Sequence, residues 1–207
     1  VVIEEVDKPH NLSAILRTCD AVGAFEAHAV YKKGKQYPTF NSTAQGSQKW
    51  VKLHTHRNLA APISVLKARG FKLYGTQIGE NSCDYRDCDF TGPTAFFLGA
   101  EKWGLSKDAK RLMDQSIFIP MRGMVQSLNV SVAAATLLFE ALRQRDAIDS
   151  VPKEGEGLEK LTYEKTIFEW AYPEVALWCK ENGTEYPKIN KNGEILDPIP
   201  RTEKFKC

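Results

Sequence analysis

No stretch of the 207 residues approaches the roughly 20 consecutive apolar positions that a membrane-spanning helix needs. The opening Val1-Val2-Ile3 has none of the layout of a secretory leader. Cysteine is scarce and odd in number: Cys19, Cys83, Cys88, Cys179 and Cys207 include no C-x-x-C pair. That pattern argues against a metal centre and against a disulfide framework, and it fits reduced thiols in a cytoplasm. Several common chemistries lack their fingerprint. No G-x-G-x-x-G follows the first strand-like run, and there is no P-loop, H-E-x-x-H or G-x-S-x-G. Neither sign of charge dominates: the formal net charge is +2, which by itself neither requires nor excludes a nucleic-acid partner. The chain opens on Val1 instead of Met, so further residues are expected ahead of it in the native protein.

What is present is an alternation of strand-like and helix-like segments. Short β-rich runs fall at Val1–Val6, Ala27–Tyr31, Trp50–His54, Lys72–Thr76, Thr94–Leu98 and Ser116–Ile119. Helical periodicity occupies about 12–22, 58–69, 106–113 and 128–145 between and after them. Such alternation predicts an α/β fold, a mostly parallel sheet flanked by helices. Around Asp146–Gly157 the chain turns polar, with Pro152, Gly155 and Gly157, and the spacing predicts a linker there. We therefore expect a catalytic domain over 1–146 and a helical extension with a tail over 147–207. Leu158–Trp170 and Pro173–Asn182 read as helices, Gly183 ending the second, and the polar tail from Thr184 is expected on the surface.

Four segments carry candidate chemistry. In Pro9-His10-Asn11-Leu12-Ser13-Ala14-Ile15-Leu16-Arg17, the residues Leu12, Ile15, Leu16 and Cys19 form a buried stripe, and Asn11 is placed to cap the helix. Arg17 lies off that stripe between Ala14 and Ala21, small side chains that leave room for something packed close by. In Phe97-Leu98-Gly99-Ala100-Glu101-Lys102-Trp103-Gly104-Leu105, an apolar strand runs into a glycine, an acid and a second glycine, where open α/β sheets place their ligands. In Ile119-Pro120-Met121-Arg122-Gly123-Met124-Val125-Gln126-Ser127-Leu128-Asn129-Val130-Ser131, a polar glycine loop leads into a long helix rich in alanine. Ser127 or Asn129 opens that helix, whose free N–H groups suit a carboxylate or phosphate. Finally, Lys32, Lys33, Lys35, Lys49, Lys52 and Arg57 crowd one stretch with Tyr31, Tyr37, Trp50, His54 and His56. Basic side chains contact phosphates and aromatics stack on unpaired bases, although a solvated surface over core aromatics explains the same composition.

In this order and spacing, the first three segments resemble the three motifs of the SPOUT methyltransferases, and specifically of the TrmH-type tRNA guanosine 2′-O-methyltransferases. The match is to N-x-x-x-x-x-R, L-G-x-E-x-x-G-L and I-P-M-x-G-x-x-x-S-L-N-V-S, the third being the most specific. Tyr172-Pro173, Tyr186-Pro187, Asn190 and Gly193-Glu194-Ile195 resemble the carboxy-terminal extension of that type. The resemblance implies a SPOUT fold with a deep carboxy-terminal trefoil knot, an obligate homodimer and S-adenosylmethionine as the cofactor, with no metal. It implies transfer of a methyl group to the ribose 2′-hydroxyl of a guanosine in the tRNA D-loop, at position 18. The helical segment that opens such proteins is absent at this front end. Residue by residue, Asn11 and Arg17 match the first motif's functional pair, Glu101 the acid of the second, and Ser127 and Asn129 the polar pair of the third. The cofactor contacts map to Thr76, Gly99, Ile119 and Leu128. Alternatives within reach of the same motifs are a 2′-O-methyltransferase for ribosomal RNA or another tRNA position, and a non-catalytic knotted protein that binds RNA.

Overall fold

The protein is represented by a computed structural model that describes residues 1–6, 8–31, 49–100, 103–150 and 157–197. The chain divides into two compact units, Val1–Val151 and Pro152–Cys207.

The first unit is built on a sheet of strands β1 (Val2–Glu4), β2 (Glu26–Val30), β3 (Lys52–His56), β4 (Lys72–Thr76), β5 (Cys83–Asp84), β6 (Thr94–Leu98) and β7 (Gln115–Phe118). Their order across the sheet is β3-β2-β1-β6-β4-β7-β5, and every pairing is parallel. A parallel sheet is covered on both faces, which is why β1 is buried at all three of its positions. The covering helices are α1 (Pro9–Ala21), α2 (Ala60–Ala68), α3 (Lys107–Leu112) and α4 (Val130–Ala147). Leu12, Ile15, Leu16 and Cys19 of α1 share one apolar core with Val130, Ala134, Leu137, Leu138 and Ala141 of α4. The alanines let the two helices approach, and each buried Leu or Ile contributes roughly 1.5–3 kcal/mol relative to exposure. On the other face, Ile63 and Leu66 of α2 and Ala109 of α3 pack on Val2, Leu73, Ala95 and Phe97.

The far end of α4 is tied down by polar bonds that periodicity does not reveal. Gln144 accepts from the Phe90 amide at 2.7 Å and donates to the Cys88 carbonyl at 3.0 Å. Arg145 donates to the carbonyls of Phe90 and Gly92 at 3.1 and 3.0 Å. These bonds fix where α4 leaves the sheet and hence where its other end meets the strands.

Among the predicted elements, Lys72–Thr76 and Thr94–Leu98 agree with β4 and β6 to the residue. Strand β5 had no counterpart in the sequence reading, because two residues of mixed character carry no periodicity. Helix α1 begins at Pro9, with Lys8 at the cap position and no side-chain cap bond, so Asn11 lies inside its first turn and is not its cap as expected. Proline's fixed φ and missing N–H favour that first position.

The second unit holds α5 (Lys160–Ala171) and α6 (Pro173–Asn182). Glu159 caps α5 by accepting from the amides of Leu161 and Thr162, and Gly183 ends α6 in the left-handed conformation, φ 64°. The polar tail is not simply laid on the surface as expected. Tyr186, Ile189 and Ile195 pack against Phe168, Val175, Ala176 and Cys179, and Ile189 bridges Ile195. Three apolar residues scattered among polar ones close a small core that no run of sequence announces.

Candidate active site

At the carboxy-terminal ends of β4, β6 and β7 the sheet opens into a cavity of about 370 Å³. Open parallel sheets place ligands here, because strand ends and helix starts leave backbone groups facing outward. The wall includes Thr76, Gln77 and Ile78 at and after the end of β4, Leu98, Gly99 and Ala100 at and after the end of β6, Ile119, Met121, Gln126, Ser127 and Leu128 in the loop into α4, and Val130, Ala133 and Leu137 of α4 itself. Thr76, Gly99, Ile119, Leu128 and Ser127, drawn from separate parts of the sequence, therefore face one space.

Gly99 has a different physical role from the one its sequence position suggests. A Cβ there would collide with the backbone of Gly104 and with the Leu105 amide. The strand end folds back on itself: the Gly104 N–H donates to the Ala100 carbonyl at 2.8 Å, and Ala100 bridges Gly104. Gly104 takes φ 64°, which an L side chain disfavours. The two glycines thus let the backbone at Gly99–Ala100 and at Gly104–Leu105 meet at the cavity wall. Thr76 donates its hydroxyl to the Phe97 carbonyl at 3.0 Å, holding β4's last residue to the β6 end.

Asn11 and Asn129 stand 118 residues apart and meet directly. Asn129 donates its amide to Asn11 Oδ1 at 3.2 Å, and Asn11 is 2% exposed. Asn129 is also the cap of α4, accepting from the Ser131 amide at 2.9 Å and the Ser131 hydroxyl at 2.6 Å. One side chain therefore starts α4 and fastens it to α1. Ser127 lies two residues ahead on the exposed loop, so of the two candidates it is Asn129 that opens the helix.

Arg17 is exposed on α1 together with Ala14 and Ala21, and it is not part of the cavity wall. Glu101 lies outside the described residues. Gln77 went unnoticed in the sequence: its Oε1 is buried at the cavity without a hydrogen-bond partner among the described residues. The signal available was its place directly after β4, one residue beyond Thr76.

In the basic and aromatic stretch, Lys32, Lys33, Lys35 and Tyr37 lie outside the described residues. Lys49, Trp50, Lys52 and Arg57 are exposed. Tyr31 is a core residue that donates its hydroxyl to the Val6 carbonyl at 3.1 Å, so it is unavailable for stacking on a base. His54 and His56 stack with the buried His28 at ring separations of 5.0 and 5.2 Å. Among the described residues no group of His, Cys, Asp and Glu could hold a metal ion, and no helix is long and apolar enough to cross a membrane.

This geometry has known counterparts. A tRNA (guanosine(18)-2′-O)-methyltransferase of Thermus thermophilus is 54% identical over 170 residues, covering 82% of this chain and 86% of the relative. The crystal structure of the A. aeolicus TrmH/SpoU tRNA modifying enzyme superposes with a TM-score of 0.76 at 37% identity, covering 84% of this chain and 87% of that one. The SpoU methyltransferase AviRb of Streptomyces viridochromogenes, solved in complex with the cofactor AdoMet, superposes with a TM-score of 0.64 at 30% identity, covering 70% and 60%. Residues 1–139 match the SpoU rRNA Methylase family, and residues 143–198 match its carboxy-terminal domain, SpoU, rRNA methylase, C-terminal. With most of its length accounted for by these two matches, the chain belongs to the SpoU methylase family.

Proposed function

We propose that this protein transfers a methyl group from S-adenosylmethionine to the ribose 2′-hydroxyl of guanosine 18 in the D-loop of tRNA, and that it does so in the cytoplasm as a homodimer with a trefoil knot. The observation that carries the reading is the meeting of Asn11 and Asn129 beside a cavity lined by Thr76, Gly99, Ile119, Leu128 and Ser127. The relatives' names supply the substrate.

The residues present fit the cofactor. The cavity is within the size range of small-molecule sites and has mostly apolar walls. Gln77 Oε1 is a buried acceptor that wants a donor, and the cofactor's adenine amino and ammonium groups are donors. Thr76, Gly99, Ile119 and Leu128 would hold it, largely through backbone groups. When bound, it supplies an electrophilic methyl group for in-line displacement by the ribose oxygen, a reaction in which positioning provides much of the acceleration.

Arg17 is the residue we assign to the acceptor oxygen. A guanidinium stays protonated in proteins, so its role is to stabilise the developing alkoxide or to clamp an adjacent phosphate that takes the proton. Because Arg17 is exposed and apart from its own cavity wall, we assign it to the partner's site across a dimer interface. Such an interface also accounts for exposed apolar side chains in and just ahead of α4: Met124 is 100% exposed, Val125 63%, Val132 48% and Phe139 51%, and Ala14 and Ala21 of α1 are exposed as well. Exposed apolar side chains of that size, where they adjoin, mark contact surfaces.

The test is transfer of labelled methyl to an unmodified tRNA transcript, with mixtures of variants read in the same assay. Arg17→Ala and Asn129→Ala should each be inactive alone. Their mixture should regain activity, because one site of the mixed dimer has an intact cavity and an intact partner arginine. A mixture as inactive as its parts contradicts the assignment of Arg17 to the partner's site.

A further inference from the structure

The cavity at the ends of β4, β6 and β7 has a floor and a mouth of different character. Leu98, Ile117 and Leu137 are buried and give it an aliphatic floor. Among the described residues of its wall, Lys110 is the one charged side chain. Lys110 lies on α3 and outside all three motif segments. Its place on the helix is fixed by its neighbours: the Ser106 hydroxyl accepts from the Ala109 amide at 3.1 Å, and Ala109 is buried against the core shared by Leu73, Ala95 and Phe97. One residue on, about 100° further round the helix, Lys110 leaves the buried face toward solvent. It is exposed and yet lines the cavity, the arrangement of a long side chain whose stem covers apolar surface while its ammonium reaches water. No ion pair to that ammonium forms among the described residues. Asp114 is taken by Lys67 at 3.2 Å and by the Leu73 amide, and Asp108, two positions away on the helix, points elsewhere.

We propose that Lys110 ion-pairs with the α-carboxylate of S-adenosylmethionine and so holds the methionine end of the cofactor at the cavity mouth, beside α3. The inference rests on the cofactor reading of this cavity. S-Adenosylmethionine carries two positive groups, the sulfonium and the ammonium, and one negative group, the carboxylate. A wall whose one formal charge is positive opposes the first two and attracts the third, so the carboxylate is the group that makes a lysine here favourable. A carboxylate brought against aliphatic side chains needs a donor in place of the water it loses, and an ammonium gives it a charge-assisted hydrogen bond. The adenosyl portion then falls to the floor formed by Leu98, Ile117 and Leu137. A tRNA phosphate is the competing anion. It approaches from solvent, where the exposed Lys107 one turn earlier serves as well, and it gives no reason for a cation to line the cofactor's wall.

The experiment measures, by calorimetry and without tRNA, the affinities of the wild type, Lys110→Met and Lys110→Arg for S-adenosylmethionine and for its decarboxylated form, which lacks the carboxylate alone. Methionine keeps much of the stem and removes the charge. The wild type should prefer S-adenosylmethionine by about fivefold, the upper end for a solvent-exposed ion pair, and the preference should shrink as salt is raised. Lys110→Met should bring the ratio to about one by weakening S-adenosylmethionine alone, and Lys110→Arg should restore it. A ratio taken within one protein does not depend on how much of that protein is folded. Affinity for tRNA should stay at the wild-type value in Lys110→Met. A wild type indifferent to the carboxylate overturns the proposal, as does a methionine variant that keeps the wild-type preference. A methionine variant with normal cofactor affinity but weaker tRNA binding of shallower salt dependence also overturns it, by placing a phosphate at Lys110. A wild type that binds neither compound overturns the cofactor reading itself, and the ion pair falls with it.

Discussion

Replacing Asn129 separates two contributions that one side chain makes. Asn129→Ser keeps a hydroxyl able to cap α4 but is too short to reach Asn11, whereas Asn129→Ala removes both functions. Losing the contact with Asn11 costs about 1 kcal/mol for the bond itself and a further ~1–3 kcal/mol if the buried Asn11 oxygen is left without that donor. Losing the cap costs about 1 kcal/mol more. We therefore expect Asn129→Ser to be destabilised by roughly 2–4 kcal/mol and Asn129→Ala by roughly 3–5 kcal/mol. The assay is chemical denaturation at one fixed protein concentration, since oligomerisation shifts apparent stability. Cofactor affinity, measured by calorimetry, should fall in both variants, because α4 supplies Val130, Ala133 and Leu137 to the cavity. A serine variant as stable as wild type would show that the contact between the two asparagines contributes nothing. Equal stabilities for serine and alanine would do the same for the cap.

Arg17→Ala should nearly abolish methyl transfer while leaving cofactor affinity and thermal midpoint close to wild type, since Arg17 is exposed on its helix; concurrent loss of cofactor binding would move Arg17 into the cofactor site. Gly99→Ala should lose cofactor binding and several degrees of thermal midpoint, because the added methyl group must displace the Gly104 backbone and not a movable side chain; a wild-type midpoint contradicts this. Cofactor affinity should be unchanged by a chelator, which calorimetry with and without it checks. The histidine stack makes stability depend on pH. Burial first, and then the neighbouring His54 and His56 rings, hold the pKa of His28 down to about 4, with Glu26 acting the other way. His54 and His56 are lowered as well, burial being the largest cause for each, with Lys52 and Arg69 also acting against a charged His54 and Glu26 favouring it. The unfolded chain binds these protons from about pH 6.5, so stability is full above that value and falls as pH drops toward 4. Thermal midpoints should decline over that window more steeply in the wild type than in His28→Leu; parallel slopes refute the assignment.

The fold class was legible because a parallel sheet leaves strong local traces. β4 and β6 are apolar runs bounded by polar residues, and the stripe Leu12, Ile15, Leu16, Cys19 fixes the buried face of α1. Strand order is another matter: nothing local distinguishes β1 beside β6 from β1 beside β4. The motif resemblance brought Thr76, Gly99, Ile119 and Leu128 forward as a group, and they face one cavity. It did not disclose how that cavity is built. The bond between Asn11 and Asn129 spans 118 residues, and the glycine at 99 answers to the backbone of Gly104. Gln77 escaped notice because a polar residue after a strand is ordinary until its buried oxygen proves to be without a partner. Asn11 was misread as a cap because Pro9 starts the helix two residues earlier.

The central claim is a chemical one, and mapping the methylated nucleotide tests it most directly. An unmodified tRNA transcript is incubated with the protein and labelled S-adenosylmethionine, then digested and analysed by mass spectrometry. The account predicts one 2′-O-methylguanosine at position 18, detected as a ribose methyl that resists alkaline cleavage, and none when guanosine 18 is replaced by adenosine. Methyl groups on a base, at another tRNA position, or on ribosomal RNA alone would contradict it.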